Sequence, residues 1–211
     1  MDNRECRGPF QSAASIILAS GSPRRKELLE RLGLKFEINA ASSKELGPDS
    51  GFLPADLVQR NACIKAAEAA AVRPESFIIG ADTCVALSGK IFGKPENMED
   101  AVSMLMELSG RWHRVFTAYC VLRPEIEVEV LKVVESRVYL TDFGQGLIRK
   151  YCATGEPLDK AGAYAVQGIG SFMVSSIEGS WTNVVGLPMT ELVETLLETG
   201  AIEPCAGNWK K

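Results

Sequence analysis

The sequence predicts an α/β fold on a mixed central sheet. Three observations carry this expectation. Short apolar runs of the kind strands bury alternate with helical stripes through the first part of the chain. Two long strand-like stretches then follow one another, and no internal repeat, low-complexity tract or linker divides the sequence. At 211 residues the chain is long enough to bury a substantial core. The expected organisation is a single domain over residues 15–202, with residues 1–14 as a flexible N-terminal extension and residues 203–211 as a flexible tail.

Each element has a local reason. Ile16, Ile17 and Leu18 form a buried-type strand; Ser22 suits an N-cap and Pro23 the first helical position, and Leu28, Leu29 and Leu32 give the stripe of a helix that stops before Gly33. Residues 35–40 read as a strand. Residues 53–72 read as a helix, with Ala55, Val58, Ala62, Lys65, Ala66 and Ala69 recurring at helical spacing. A buried strand over 77–81 and a hairpin over 85–92, turning at Ser88-Gly89, leave Asp82 between them. Asn97 caps a helix running to Leu108, with Ala101, Met104, Leu105 and Leu108 facing inward. Residues 115–122 and 128–140 are long strands, the second half-exposed by its alternation. A helix over 143–152, short strands over 163–166 and 174–177, and a closing helix over 188–198 before Gly200 complete the order.

Composition narrows the function. A net charge of −4 and a pI near 5.2 exclude a general nucleic-acid or anionic-membrane binder, which needs a basic surface field. Six scattered cysteines, with no CxxC pair and a single histidine, offer no zinc site and read as reduced thiols. No apolar run reaches the roughly 18–20 residues of a membrane span, and residues 1–14 lack a signal-peptide core. The expectation is a cytoplasmic protein with no membrane or nucleic-acid partner.

Ala19 to Arg25 reads as a phosphate cradle. A helix N-terminus is already positive, so Arg24 and Arg25 each cost about 0.3–1 kcal/mol there unless an anion is near. The hydroxyls of Ser20 and Ser22, free N–H groups and two guanidinium forks suit a polyphosphate. The alternative is that both arginines face water or pair with acidic neighbours. Asp82 interrupts an apolar stretch in which a carboxylate is costly unless paired, hydrogen-bonded or metal-bound, although turn aspartates between strands are common. Lys65 sits among alanines and Lys94 ends the hairpin; either meets phosphate, or snorkels and points into water. Residues 156–164 form a charged loop holding Asp159 and Lys160, and Gln167 after it could hydrogen-bond a nucleobase edge. P-loop, HExxH, GxSxG and dinucleotide fingerprints are missing, and His113 at a strand entrance offers little for acid–base chemistry.

Five ordered motifs then give a resemblance: LASGSPRRKELLERLG over 18–33, IIGADT over 78–83, GKP over 93–95, EPLDKAGAYAVQG over 156–168 and VVGLP over 184–188. The chain resembles the Maf proteins, nucleoside triphosphate pyrophosphatases. The resemblance implies an elongated sheet flanked by helices in two lobes around a cleft, similar to inosine triphosphate pyrophosphatase. It implies that Ser20, Arg24, Lys65 and Lys94 contact the triphosphate, with Asp82, Lys65 and Lys94 as the catalytic set and Asp82 the proton acceptor. Glu45 and Asp82 would hold a divalent cation, with hard oxygen ligands favouring magnesium or manganese.

The arginine, threonine and glutamine that mark the family's dTTP- and UTP-hydrolysing branch fall on Arg25, Thr83 and Gln167. The sister branch, acting on 7-methyl-GTP, typically shows tryptophan and glutamate at the first and last of these places. Modified pyrimidine nucleotides are further candidate substrates, and a homodimer is compatible with the resemblance. The family usually has an apolar residue at the position of Asn61, and residues 42–51 are less typical of it. Two other functions fit a phosphate cradle: a nucleotide-binding regulator of cell division and septum formation, and a pyrophosphatase for non-standard purine nucleotides.

Overall fold

The computed structural model describes residues 8–205. The elements in order are β1 (Phe10–Ser12), β2 (Ile16–Leu18), α1 (Pro23–Glu30), β3 (Glu37–Ile38), α2 (Pro54–Val72), β4 (Phe77–Leu87) and β5 (Lys90–Phe92). There follow α3 (Met98–Leu108), β6 (Trp112–Arg123), β7 (Val128–Leu140), α4 (Gly144–Cys152), β8 (Val174–Glu178), α5 (Trp181–Val185), α6 (Met189–Glu198) and β9 (Ile202–Pro204).

The central sheet has seven strands in the order β3-β2-β4-β6-β7-β8, with β5 pairing to β4. β2 runs parallel to β3 and β4, whereas β4, β6, β7 and β8 pair antiparallel, so the sheet is mixed as the element order predicts. Its decisive feature is a gap. Along one edge of β4, Phe77, Ile78 and Ile79 pair with β2, and Val85, Ala86 and Leu87 pair with β5. Residues 80–84 between them pair with no strand on that side among the described residues, while their other edge stays paired to β6. The sheet opens at this gap, and the cleft described below sits in it.

Three apolar clusters build the core. One packs α1 and α6 on the β2 end of the sheet through Leu28, Leu29, Leu192 and Leu196; a second packs α3 and α4 on the far end through Leu105, Leu108, Ile148 and Tyr151. Alternation along β4 puts Phe77, Ile79 and Val85 on that face and Ile78, Cys84 and Ala86 on the other, where the alanines of α2 lie. α2 comes so close because Gly80 has no side chain: a Cβ there would stand 2.3 Å from the carbonyl oxygen of Ala62.

Helices α1, α2, α3, α4 and α6 lie where periodicity and caps place them; Pro23 opens α1 and Asn97 caps α3 by accepting from the Asp100 N–H. Four expectations change. The strand expected over 35–40 shrinks to Glu37–Ile38. The strand over 77–81 continues to Leu87, so Asp82 lies inside β4 rather than in a turn. The strand expected over 163–166 is absent, because Gly162 and Ala163 both take left-handed backbone (φ 70° and 61°), which a strand cannot continue. Finally, Phe10–Ser12 and Ile202–Pro204, expected in or beside loose ends, pair with each other antiparallel. Cys63, Cys84, Cys120 and Cys152 are free thiols as expected, whereas Cys205 is disulfide-bonded. Among the described residues no helix is long and apolar enough to cross a membrane.

Candidate active site

The gap in the sheet opens into a cleft of about 590 Å³. Every residue singled out in the sequence lines it: Ser20, Arg24 and Arg25 from the β2–α1 turn, Glu45 from the following loop, and Lys65 from α2. Asp82 and Thr83 come from β4, Lys94 from the segment after β5, and Asp159, Lys160 and Gln167 from the loop after α4. Five cations and three carboxylates thus face one cavity, a local positive excess in a chain of net charge −4.

The floor is built on strand alternation. Asp82 points towards α2, where its Oδ1 accepts from Lys65 Nζ at 2.7 Å and its Oδ2 from Asn61 Nδ2 at 3.0 Å. Lys65 Nζ also lies 3.0 Å from Glu45 Oε1, so one ammonium sits between two carboxylates. Burial pushes the Glu45 carboxyl up, but the Lys65 charge and hydrogen bond, with Lys94 and Arg25, hold it below its usual value. The neighbour Thr83 points the other way. Its Oγ1 accepts from Arg25 Nη2 at 3.1 Å and lies 3.0 Å from Thr117 Oγ1, which donates to the carbonyl of Asn183. The Thr117 proton being spent there, Thr83 donates its own to Thr117 and offers the cleft only an acceptor.

Arg25 corrects the two-fork cradle. Its Nε donates to the Gly186 carbonyl at 2.7 Å, and Nη1 donates to Ser20 Oγ and the Ala81 carbonyl, each at 2.9 Å. With Thr83 this engages four of the five N–H bonds a guanidinium carries. The side chain is buried, and burial lowers its pKa against the opposing pull of Asp82. Arg25 therefore braces the cleft wall across the sheet gap; with Lys65 it satisfies the Ala81 carbonyl there. Arg24 is paired with an acidic neighbour, Nη1 donating to Asp159 Oδ2 at 2.9 Å, and Lys160 donates to the same carboxylate. Lys94 makes no hydrogen bond or ion pair among the described residues. Ser20 Oγ also accepts from the Ser22 N–H, leaving its own proton for the cleft.

Gln167 Oε1 is buried without a hydrogen-bond partner among the described residues. Its loop is set by Glu156, whose carboxylate accepts from Tyr151 Oη and from the N–H groups of Ile169 and Gly170. Glu156 and Asn61 are the residues the sequence reading did not assign. Asn61 showed only as a polar interruption of an alanine-rich helix face, and the reach of Glu156 over 14 residues to Gly170 leaves no local pattern. Glu45 and Asp82 are the carboxylates that would hold a hard divalent cation, since magnesium commonly takes one or two carboxylates plus substrate phosphates; both meet on the Lys65 ammonium, which stands between them. Among the described residues no third Asp, Glu, His or Cys joins them to make a self-sufficient metal cage.

A family model described as Maf-like protein matches residues 15–199. The chain belongs to the Maf family. Its relatives include a protein of Nitratidesulfovibrio vulgaris, 48% identical over 92% of each chain, and one of Geotalea uraniireducens, 48% identical over 92% of this chain and 100% of its own. A third, from Desulfotalea psychrophila, is 46% identical over 86% of this chain and 93% of its own. All three bear the name dTTP/UTP pyrophosphatase. A crystal structure of a nucleoside-triphosphatase / dITP/XTP pyrophosphatase from Mycobacterium abscessus covers 88% of this Maf chain and 95% of its own, at 16% identity and a TM-score of 0.42.

Proposed function

We propose that this chain hydrolyses dTTP and UTP between the α- and β-phosphorus, releasing the nucleoside monophosphate and pyrophosphate. The observation that carries the reading is the Asp82–Lys65–Glu45 cluster on the floor of a cleft whose other walls bring Ser20, Arg24 and Lys94. Family membership and the names of relatives at 46–48% identity support it. A regulator that only bound nucleotide would have no use for a carboxylate inside β4.

The residues divide the work. A water oxygen bonds to the α-phosphorus as the bond to the α,β-bridging oxygen breaks; Asp82 takes the proton of the water, and the leaving pyrophosphate carries away the electron pair. Lys65, Lys94 and Arg24 offset the charge gathering on that leaving group, which is where preorganised cations lower a barrier most. Ser20 donates its free proton to a phosphate oxygen. A divalent cation held by Asp82 and Glu45, magnesium or manganese, would polarise the phosphoryl group when bound. Base choice is assigned to Gln167 and Thr83. The buried Gln167 Oε1 suits the N3–H that uracil and thymine both carry, and Arg25 acts through the wall it braces.

Pyrophosphate release from dTTP, UTP, CTP, ATP and GTP, with magnesium, manganese or chelator, tests the reading on the wild type and Asp82→Asn. Cation-dependent release from dTTP and UTP, lost by a factor of about 10² or more in the variant, is the expected result. Wild-type turnover in Asp82→Asn would remove Asp82 from the chemistry, and preference for purines would overturn the substrate assignment.

A further inference from the structure

The carboxylate of Glu45 stands on a loop, residues 41–47, that has neither strand nor helix of its own. Three side chains of α2 grip it. Asn61, Lys65 and Glu68 lie four and three residues apart, on one face of the helix. Glu68 accepts from the Ser42 N–H at 2.8 Å, the Ser42 hydroxyl at 2.7 Å, the Ser43 N–H at 2.9 Å and the Ser43 hydroxyl. Lys65 pairs with Glu45 at 3.0 Å. Asn61 accepts from the Leu46 N–H at 2.8 Å, returns a bond to the Leu46 carbonyl at 3.1 Å and holds Asp82 Oδ2 with the same amide nitrogen. Loop residues 42 to 46 thus run antiparallel to helix residues 61 to 68, and the backbone N–H groups of Ser42, Ser43 and Leu46 all end on side chains of α2.

We propose that Glu68 and Asn61 are positioning residues that fix Glu45 against Asp82, so that the cation site is assembled before any cation or nucleotide arrives. The inference rests on Glu45 and Asp82 as the cation-holding pair. Glu68 lies outside the residues lining the cleft and touches neither of them, so its effect is carried by the loop alone. Fixing a ligand group in advance removes an ordering cost from binding, and partners behind metal ligands commonly set affinity in this way. Asn61 ties both halves together, because one side chain bonds the loop that bears Glu45 and the strand that bears Asp82.

Three measurements on the full chain test this: backbone amide exchange at Ser42, Ser43 and Leu46, manganese affinity without nucleotide by titration calorimetry, and the magnesium concentration giving half-maximal pyrophosphate release. For Glu68→Ala, faster exchange at Ser42 and Ser43 and about tenfold weaker manganese binding are expected, with kcat at saturating magnesium held within about twofold. Glu68→Gln keeps one acceptor oxygen and should fall in between, and Ser43→Ala, which leaves α2 intact, should move the same way by less. Unchanged exchange in Glu68→Ala, or faster exchange with unchanged manganese affinity, overturns the positioning role. Glu45→Gln separates the two readings. Weaker manganese binding in Glu45→Gln with none in Glu68→Ala overturns positioning alone, whereas wild-type affinity in Glu45→Gln overturns the cation-holding pair and the positioning role with it.

Discussion

Arg25 shows how a charge lining a cleft can serve as architecture. Its four engaged N–H bonds reach a hydroxyl of its own turn, the unpaired edge of β4, Thr83 and the Gly186 carbonyl, 161 residues away. A lysine has no fork with which to span these acceptors. Arg25→Lys should therefore strand buried oxygens and lower stability by about 2–4 kcal/mol in urea unfolding. Local pattern could announce the arginine, through its place in a helix's first turn, but not the carbonyl it holds. His113 gives a second test at this scale. It is buried with Nε2 2.7 Å from Tyr164 Oη, and burial lowers its pKa to about 4. The unfolded chain, with an ordinary histidine near 6.5, takes up a proton first as the solution is acidified. Stability linked to His113 is thus complete above about pH 6.5 and declines towards pH 4, by roughly 3 kcal/mol. The slope of melting temperature against pH over that window should flatten in His113→Phe, whatever the offset between the two proteins.

At the scale of elements, the site is a contact between α2 and β4. Gly80 permits it, since a Cβ there would meet the Ala62 carbonyl oxygen at 2.3 Å and the Ala66 nitrogen at 2.8 Å. Gly80→Ala must push the helix from the strand, and with it Lys65 and Asn61 from Asp82. A loss of about 1–3 kcal/mol in urea unfolding, together with reduced pyrophosphate release, is expected. These elements were legible because each carries its own signal: alanines at helical spacing in α2, unbroken apolar residues in β4, and a proline or asparagine at the start of α1 and α3. The irregular stretch after α4 was not. Ala163 is held left-handed by its setting, with the Gly162 N–H on the Gly93 carbonyl and the Ala163 N–H on the Lys160 carbonyl, and nothing in the residue itself marks this. The five-residue α5 and the three-residue strands β1 and β9 are too short for a period to show.

Across the whole molecule, β1 and β9 join residues far apart in the chain; the Gln11–Glu203 hydrogen bond spans 192 positions. Ile202 follows the strand register into the cluster beneath α1 and α6, where it is 2% exposed. Ile202→Ala should cost about 2–4 kcal/mol in urea unfolding while leaving pyrophosphate release at 25 °C unaltered, since the pair lies away from the cleft. Ser20, Arg24, Arg25, Lys65, Asp82, Thr83 and Lys94 meet in that cleft from well-marked elements or their adjoining turns, whereas Glu45, Asp159, Lys160 and Gln167 reach it from irregular segments that carry no period. The motifs were silent on how the cleft's charges are paired, and that pairing shapes what an arriving nucleotide encounters. Arg24 is already matched by Asp159, and Lys65 by Asp82 and Glu45. On the proposed reading, capture of a triphosphate would be an ion exchange, in which phosphate replaces carboxylate on Arg24, while Lys94, which feels the Glu45 charge but makes no ion pair among the described residues, has no pair to give up. Added salt weakens the outgoing pair along with the incoming one, so affinity should fall less steeply with ionic strength than a count of the cations lining the cleft suggests. The same rivalry would work in reverse at the end of a turnover: as pyrophosphate loosens, Asp159 would reclaim Arg24 and hasten its departure.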